Sequence, residues 1–384
     1  MPSPIPDTAP ARSAGGRRLD LDVVRATAIL LALGWHFGSS RSGNRVLDIL
    51  QLPGHLFGWA GVDLFFVLSG FLMGEMVLRE RARTGGFDGR RFTFRRLLKL
   101  WPVLYVFLAV HAVFGDEPLS SYLWQNALHL QNYAGTSLAH LWSLAVEEHF
   151  YLALAILFPL FTRRRGSIRT LVAVLVGILV TALALRYVGL LAGVSDTRLQ
   201  WRTHFRIDSL AAGVLLAVMR VHASALFERL VRLRLLWAVV VVGGARLLAA
   251  VGKEGVVGAT LGFTIAWITA GAFLLLLYDA AWIPRLRWIT APMAALGRYS
   301  YGVYIWHLFA AQLALSQLGL DYESGSPRVQ AVKYGAAIVV GMGATVLVER
   351  PALRLRDRLL PSRPAPAAVD VPVERKPAEL ATAA

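Results

Sequence analysis

The sequence contains no cysteine. This absence excludes a disulfide framework, a thiolate metal site and a cysteine nucleophile. Acidic residues are also scarce, since 24 Asp and Glu stand against 40 Lys and Arg and leave a formal net charge of +16. Such a charge fits either nucleic acid or anionic headgroups, but no basic segment interleaved with aromatic residues is long enough to fold by itself. We therefore expect no nucleic acid partner and attribute the charge to a membrane.

Polar surface is in short supply as well. Hydrophobic residues make up 56 % of the 384 residues, and the mean hydropathy is +0.54. A soluble domain does not tolerate this composition, so the main solvent of the chain is a lipid bilayer. The first 18 residues lack an apolar run, and the run that follows has no small-residue cleavage site. We expect no removable signal peptide and an all-α, polytopic membrane protein.

Apolar runs give the number of membrane spans. A hydrocarbon core of ~30 Å requires about 20 helical residues. Ten runs separated by charge clusters, Gly or Pro meet this need, and the third and fourth are short enough to be partly re-entrant. They cover residues 19–38, 56–78, 100–115, 146–161, 170–191, 204–220, 235–251, 258–279, 297–318 and 332–350.

Basic residues set the orientation, because cytoplasmic loops carry an excess of Lys and Arg. Alternate loops differ as this rule demands: clusters stand at 79–99, 163–169 and 350–376, whereas 116–141 contains neither Lys nor Arg. Both termini are therefore predicted to be cytoplasmic. The sequence divides into a tail at 1–18, a transmembrane domain at 19–350 and a tail at 351–384. The second tail is Pro- and Ala-rich and charged, which is typical of disorder.

Ionisable residues inside spans are costly and mark candidate sites. Arg25 and His36 lie eleven positions apart in the first span. At 100° per residue this separation returns to within about 20° of the same helix face and rises roughly 16 Å. Two plainer interpretations remain open, because Arg25 can pair with Asp22 or a headgroup and His36 can be a hydrogen-bonded histidine at a helix end.

A second candidate precedes the fourth span, where the sequence reads HLWSLAVEEHFY. Ser143 and Glu147 form an S-L-x-x-E arrangement that enters the membrane from the outer side. Glu147 and His36 are then at comparable depth, so the pattern predicts an acid/base pair. Glu148 is interpreted as the solvated neighbour, although periodicity alone leaves an exchange of the two carboxylates open.

A basic cluster at the inner side is the third candidate. The sequence RRFTFRRLLKLWP places Arg95, Arg96 and Lys99 beside the inner leaflet. Arg96 and Lys99 stand at i and i+3 on one helix face, where they can bind phosphates. Ordinary anchoring by the positive-inside rule explains the same residues equally well.

Further ionisable residues lie in other spans, and each has a structural alternative. Asp63 stands in the second span, Arg206 and Asp208 in the sixth, and His307 in the ninth. Arg206 and Asp208 can neutralise each other or a neighbouring helix. His307 can simply bind a backbone carbonyl. We keep all four as candidate substrate-binding residues.

Taken together, these motifs resemble those of the acyltransferase-3 family of integral-membrane O-acyltransferases. Arg25 and His36 match its R/K-x10-H signature, and GVDLFFVLSGFLM at 61–73 matches its second-span motif. FRRLLKLWP resembles the RxxR-containing loop of the family, and SLAVE resembles its SLxxE element. The similarity covers about residues 17–350. One departure is Lys99, which stands where the family has the second Arg of RxxR and offers a point charge instead of a bidentate fork.

The resemblance implies an activity. The family has ten helices and transfers an acyl group, most often acetyl, from cytoplasmic acyl-CoA to a hydroxyl of a glycan, glycolipid or glycosylated natural product such as a macrolide. The chain resembles stand-alone members that have no extracytoplasmic hydrolase-like domain. We therefore expect a bacterial inner-membrane enzyme that uses acetyl-CoA as co-substrate, with no bound cofactor and no metal.

The expected mechanism follows from the two ends of the first span. Phosphates of coenzyme A meet Arg95, Arg96 and Lys99, while His36 acts as general base on the acceptor hydroxyl and Glu147 orients the imidazole. A route through an acyl-enzyme stays open. The competing class is a proton-coupled exporter, since a ten-span bundle with buried charges also fits transport. A third interpretation is an assembly subunit of an envelope polysaccharide complex.

Overall fold

The computed structural model describes residues 18–38 and 42–361, and all regular structure in these ranges is helical. The all-α prediction is therefore confirmed for this part of the chain. Most of the predicted N-terminal tail at 1–18 lies outside the described residues. The α-helices are α1 (Leu19–Phe37), α2 (Arg45–Phe57), α3 (Gly61–Thr84), α4 (Gly89–Phe114), α5 (Leu123–Ala127), α6 (Gln131–Ala134), α7 (Trp142–Arg163), α8 (Ile168–Leu191), α9 (Asp196–Trp201), α10 (Thr203–His222), α11 (Ser224–Arg232), α12 (Arg234–Val251), α13 (Gly255–Val257), α14 (Phe263–Leu277), α15 (Trp282–Arg285), α16 (Arg287–Arg298), α17 (Ser300–Gln317), α18 (Pro327–Ala344) and α19 (Arg350–Leu359).

Each of the ten predicted spans corresponds to a helix, but not every helix is apolar enough to count as a span. Among the described residues, seven helical stretches have the length and composition to cross a membrane, or eight if the bent pair of Asp196–His222 and Ser224–Arg232 is one span. The polytopic fold is confirmed, whereas the number ten remains a prediction. α1 falls short because it carries Asp20, Asp22 and Arg25, and α17 includes His307 and Gln312.

The third and fourth predicted spans are longer than the sequence indicated. α4 has 26 residues and α7 has 22, so each is long enough to cross a bilayer as one continuous helix. Neither helix is re-entrant. The extra length of α4 lies at its basic start. There the side chain of Asp88 caps the helix by accepting a hydrogen bond from the backbone N–H of Arg91 at 3.0 Å.

The basic clusters of the sequence meet at one end of the bundle, which we call the basic end. Arg81 at the end of α3 donates to the carbonyl oxygen of Gly166 at 2.6 Å, and Arg95 on α4 pairs with Asp357 on α19 at 3.2 Å. Segments 79–99, 163–169 and 350–361 therefore lie on the same side. The positive-inside rule requires this arrangement, and it predicts that the basic end faces the cytoplasm.

The centre of the bundle is built from α1, α3 and α10. α3 and α10 touch backbone to backbone, because a Cβ added at Gly70 would meet the carbonyl oxygen of Leu210 at 2.0 Å and one at Gly213 would meet that of Val67 at 2.1 Å. Only glycine permits such an approach, and small residues serve the same purpose in other membrane bundles.

Four buried charges join α3, α8 and α10. Asp63 accepts hydrogen bonds from Arg206 and from Ser209, both at 2.7 Å. Arg186 donates to Asp208 at 2.7 Å. Arg206 and Asp208 thus pair with neighbouring helices and not with each other, which is one of the alternatives that the sequence left open. Arg186 on α8 was not among the predicted site residues.

The C-terminal helix extends beyond the predicted transmembrane domain. A π-helical turn at Thr345–Glu349 leads directly into α19, which ends at Leu359. The prediction of disorder from residue 351 is therefore wrong for residues 351–359. Its remaining part, from residue 362, lies outside the described residues.

Candidate active site

A cavity of about 370 Å³ lies inside the basic half of the bundle, between α1, α3, α4, α7, α17 and α19. Five cationic side chains and two carboxylates contribute to its wall. They are Arg25, Arg96, Lys99, Arg298, Arg356, Glu147 and Glu349. The excess of positive charge in an enclosed, partly apolar space suits an elongated anionic ligand.

Glu147 is the central acidic group of this cavity. Ser143, Glu147 and Tyr151 follow one another at i, i+4 and i+8 on α7, so they form one stripe on one face of the helix. All three line the cavity. The carboxylate of Glu147 lies near the hydroxyls of Ser69 and Tyr151, which are themselves 2.5 Å apart.

The cations nearest to Glu147 are the ones that the sequence placed on one helix face. Arg96 and Lys99 both act electrostatically on the Glu147 carboxylate. The guanidinium of Arg96 also lies 5.1 Å from the ring centroid of Tyr151, a cation–π distance. The predicted residues Arg96 and Lys99 of α4 therefore lie close to the predicted residue Glu147 of α7.

A second, basic pocket of about 340 Å³ adjoins the cavity and shares Arg96, Lys99 and Arg356 with it. The cavity and the second pocket follow one another along α3. Residues from Val62 to Met73 line the cavity, and residues from Met76 to Arg83 line the second pocket. At 1.5 Å per residue, the route from Val62 to Arg83 covers about 32 Å of helix. The two spaces therefore lie end to end along α3, from the basic end towards the interior.

Arg95 and Arg25 behave differently from the prediction. Arg95 lines the second pocket and not the cavity, and it donates to Asp357 and to the carbonyl oxygen of Leu360 on the C-terminal segment. Arg25 lines the cavity and also forms an ion pair with Asp22. The plainer interpretation of Arg25 is thus correct, but it does not remove the side chain from the site.

His36 lies in a cluster of three imidazoles. Its ring centroid is 5.0 Å from that of His307, which is 5.1 Å from that of His140. His307 donates from Nδ1 to the carbonyl oxygen of Tyr304 at 2.6 Å, and His140 donates from Nε2 to that of Ile305 at 3.1 Å. The Nδ1 bond makes Nε2 of His307 the acceptor nitrogen, and this atom is buried without a partner among the described residues.

The predicted pair of His36 and Glu147 is not seen as a contact in the described part of the chain. Glu147 lines the cavity, whereas His36 faces the other histidines. Tyr304 lies between the two groups: its hydroxyl is 2.7 Å from Ser143 Oγ, and its ring centroid is 5.9 Å from that of His307. The same hydroxyl donates to the carbonyl oxygen of His140 at 2.7 Å. Ser143 and Tyr304 thus lie at the boundary between the cavity and the histidine cluster.

The other predicted site residues lie outside this assembly. Asp63, Arg206 and Asp208 are fully buried in the four-charge network and do not line the cavity, so the structure gives them a role in helix packing. No group of three or more His, Asp or Glu side chains is arranged to hold a metal ion within residues 18–38 and 42–361.

A comparison with protein families shows which family the chain belongs to. The model of an acyltransferase domain, that of acyltransferase-3, matches residues 18–349. The chain belongs to the acyltransferase-3 family. The resemblance read from the motifs is thereby confirmed.

Individual acyltransferase-3 relatives are distant but consistent. The chain is 26 % identical to the O-acetyltransferase OatA of Staphylococcus aureus over 75 % of its own length, and 24 % identical to the peptidoglycan O-acetyltransferase OatA of Listeria monocytogenes over 51 %. These alignments cover 49 % of the staphylococcal protein and 33 % of the listerial protein. The chain thus spans about half the length of the first relative and about a third of the second. A third relative, "Putative membrane-bound transacylase BcsY" of Komagataeibacter xylinus, is 26 % identical over 84 % of this chain and 88 % of its own. No solved structure matches the chain.

Several residues of this acyltransferase-3 site were missed in the sequence. Tyr151 could have been found, because it continues the spacing of Ser143 and Glu147 along one helix face. Tyr304 and His140 gave no such signal, since their role depends on how α17 packs against the start of α7. Arg356 lies beyond the last predicted span, where basic residues are expected for orientation alone.

Proposed function

We propose that this acyltransferase-3 chain is a membrane-bound O-acyltransferase that moves an acetyl group from acetyl-CoA to a hydroxyl of a glycan, glycolipid or glycosylated natural product. The observation that carries the proposal is the cationic cavity around Glu147, which joins a basic pocket at the end of the bundle predicted to be cytoplasmic. The printed names of two relatives, both O-acetyltransferases, support acetyl as the acyl group.

The donor fits this route by its charge and shape. Coenzyme A carries its phosphates at one end and its thiol at the end of a long uncharged arm. The phosphates bind at the second pocket and at the shared cations Arg96 and Lys99, which act as charge-assisted donors. The arm then lies along α3 in the partly apolar cavity, with the thioester directed towards Ser143 and Tyr304.

The acceptor approaches from the opposite side. His36 lies about 16 Å along α1 from Arg25, away from the basic end, in the cluster with His307 and His140. In our proposal His36 takes the proton of the acceptor hydroxyl, and the resulting oxygen attacks the thioester carbonyl. The C–S bond then breaks, and the imidazolium of His36 returns its proton to the departing thiolate of coenzyme A.

Glu147 has a supporting part in this scheme. It lies beside the hydroxyls of Ser69 and Tyr151 and balances the charge of Arg96 and Lys99. Without the carboxylate, these cations would repel each other and the donor arm would lose its fixed wall. This role replaces the direct contact with His36 that the sequence suggested.

The test is a mass-spectrometric comparison of envelope glycans and secreted metabolites from the native host carrying either wild type or His36→Ala at matched protein level. We expect one or more species to lose the mass of an acetyl group in the mutant, and these species identify the acceptor. His222→Ala serves as control, because this histidine is exposed at the end of α10. An unchanged profile in His36→Ala would contradict the proposal.

A further inference from the structure

The C-terminal helix completes the cavity although the acyltransferase-3 match stops before it. The match ends at residue 349, and α19 begins at Arg350 without a break. Leu353 and Arg356 of α19 both line the cavity. Part of the wall therefore comes from residues that the family comparison leaves unassigned.

We propose that Arg356 is a further binding residue for the phosphates of acyl-CoA, held in place by a clasp between Arg95 and Asp357. The inference rests on the proposed function, because that function supplies the anionic ligand. It concerns a different part of the chain from the motif residues and can fail by itself.

The position of Arg356 is the first argument. It is one of the three cations that line both the cavity and the second pocket, and the other two are Arg96 and Lys99. These three side chains mark the junction of the two spaces. A donor that reaches from the basic end into the cavity must pass this junction, where Arg356 adds a cation from α19 to the two cations from α4.

The geometry of its guanidinium is the second argument. Asp357 accepts from Nε of Arg356 at 2.9 Å and from Nη2 at 3.0 Å. An arginine has five N–H donors, so this bidentate contact fixes the plane of the group and leaves three donors for a ligand. The side chain is only 18 % exposed, whereas Asp357 is 52 % exposed. The cation therefore faces inward and its partner faces the solvent.

The clasp is the third argument. The carboxylate of Asp357 also accepts from Arg95 at 3.2 Å, so one acidic group joins two arginines and leaves a net positive charge. Arg95 and Arg91 further contact the carbonyl oxygens of Leu360 and Pro361. Arg95 was predicted to bind phosphate directly, but its contacts connect α4 to α19. Arg95 therefore lines the second pocket and, by pairing with Asp357, also positions Arg356.

The matched control lies on the same helix. Arg358 is exposed and lines neither the cavity nor the second pocket. A change of Arg358 removes the same charge from α19 without touching the junction. Arg356→Gln and Arg358→Gln therefore differ in placement and not in chemistry.

The experiment uses the full chain, purified in detergent, with two donors. Acetyl-CoA carries the phosphates of coenzyme A, and S-acetyl-pantetheine has the same thioester arm without any phosphate. We expect Arg356→Gln to raise KM for acetyl-CoA about tenfold with little change in kcat, because a charge-assisted hydrogen bond is lost from binding. With S-acetyl-pantetheine the same variant should equal wild type, and Arg358→Gln should equal wild type with both donors. Arg356→Lys should recover part of the loss.

The clasp is tested in the same assay. Asp357→Asn and Arg95→Gln should raise KM for acetyl-CoA in the same direction and leave KM for S-acetyl-pantetheine unchanged. A merely structural role would instead lower kcat or stability with both donors. If Arg356→Gln behaves like Arg358→Gln, or if its KM rises equally for both donors, the inference is wrong.

Equilibrium binding of coenzyme A separates this inference from the proposed function. If wild type consumes acetyl-CoA and Arg356→Gln binds coenzyme A as tightly as wild type, the inference fails and the function stands. If wild type binds coenzyme A through Arg356 but transfers nothing, the site stands and the proposed reaction fails. If wild type neither binds coenzyme A nor consumes acetyl-CoA, both are wrong.

Discussion

The imidazole rings of His36 and His307 lie 5.0 Å apart, and Nε2 of His307 is buried with no partner among the described residues. His36 comes from α1 and His307 from α17, two of the span-like helices among the described residues that are too polar to pass as membrane spans by composition. Their polar residues converge on each other and on the cavity. The sequence therefore tolerates these groups in the bilayer because the bundle encloses them.

Substitution of His36 should stop the transfer. Our scheme assigns the proton of the acceptor hydroxyl to this imidazole, and general bases contribute about 10²- to 10⁴-fold to rate. We expect His36→Ala to lower kcat by that range while KM for acetyl-CoA stays close to the wild-type value. Acceptor-dependent release of coenzyme A measures both constants. A His36→Ala enzyme with near wild-type turnover would remove His36 from the chemistry.

Substitution of Arg96 should act on donor binding. This residue lines both the cavity and the second pocket, so Arg96→Ala should raise KM for acetyl-CoA about tenfold or more with a smaller effect on kcat. Arg90→Ala is the control, because Arg90 is exposed at the start of α4 and lines neither space. Equal KM values for the two variants would refute a phosphate site at the junction.

Substitution of Lys99 by arginine should strengthen donor binding instead of weakening it. It stands where the acyltransferase-3 motif has an arginine, and a guanidinium can bind phosphate with two parallel hydrogen bonds. Lys99→Arg should therefore lower KM for acetyl-CoA, whereas Lys99→Gln should raise it. Steady-state kinetics at several donor concentrations distinguishes the two directions. A higher KM in Lys99→Arg would mean that the site is shaped for the smaller ammonium group.

The two adjacent carboxylates should differ. Glu147 lines the cavity with Ser69 and Tyr151, whereas Glu148 faces away from it towards Trp101. We expect Glu147→Gln to lower kcat/KM at least tenfold through loss of the charge beside Arg96, and Glu148→Gln to change it much less. The sequence left an exchange of these residues open. The reverse order of effects would show that the donor wall has been placed on the wrong face of α7.

The buried charge network should determine stability more than chemistry. Asp63→Ala leaves Arg206 buried without its carboxylate, which costs about 3–5 kcal/mol when a buried ion pair is broken. The double variant Asp63→Ala/Arg206→Met should recover a large share of this loss, because it removes both charges. Thermal unfolding in detergent gives the comparison. If the double variant is as unstable as Asp63→Ala, the pair is not a stability device.

The site could be predicted from the sequence where one helix carries the pattern. The spacing of Ser143 and Glu147 predicted that both lie on one face of α7, and both line the cavity, because 3.6 residues per turn fixes their direction. Contacts between helices could not be read in this way. Arg95 and Arg96 are neighbours in the chain but point about 100° apart, and only the position of α19 shows that Arg95 pairs with Asp357 whereas Arg96 also lines the cavity.

The boundary between the cavity and the histidine cluster also depends on a contact between helices that the sequence does not reveal. Tyr304 meets Ser143 across two helices that are more than 150 positions apart in the chain. No periodicity predicts that contact, and without it His36 and Glu147 seemed free to pair. Comparable depth alone does not decide which side chain lies between them.

The most direct test of the account follows radiolabelled acetyl-CoA with the purified chain. Wild-type protein in liposomes receives acetyl-labelled donor and a mixture of glycan and glycoside acceptors, and both free coenzyme A and labelled acceptor are measured. The account predicts that the two appear in equal amounts, that both require the acceptor, and that both are lost in His36→Ala. Wild-type protein that leaves acetyl-CoA intact, or that moves a solute across the bilayer without consuming it, would contradict the assignment as an O-acyltransferase.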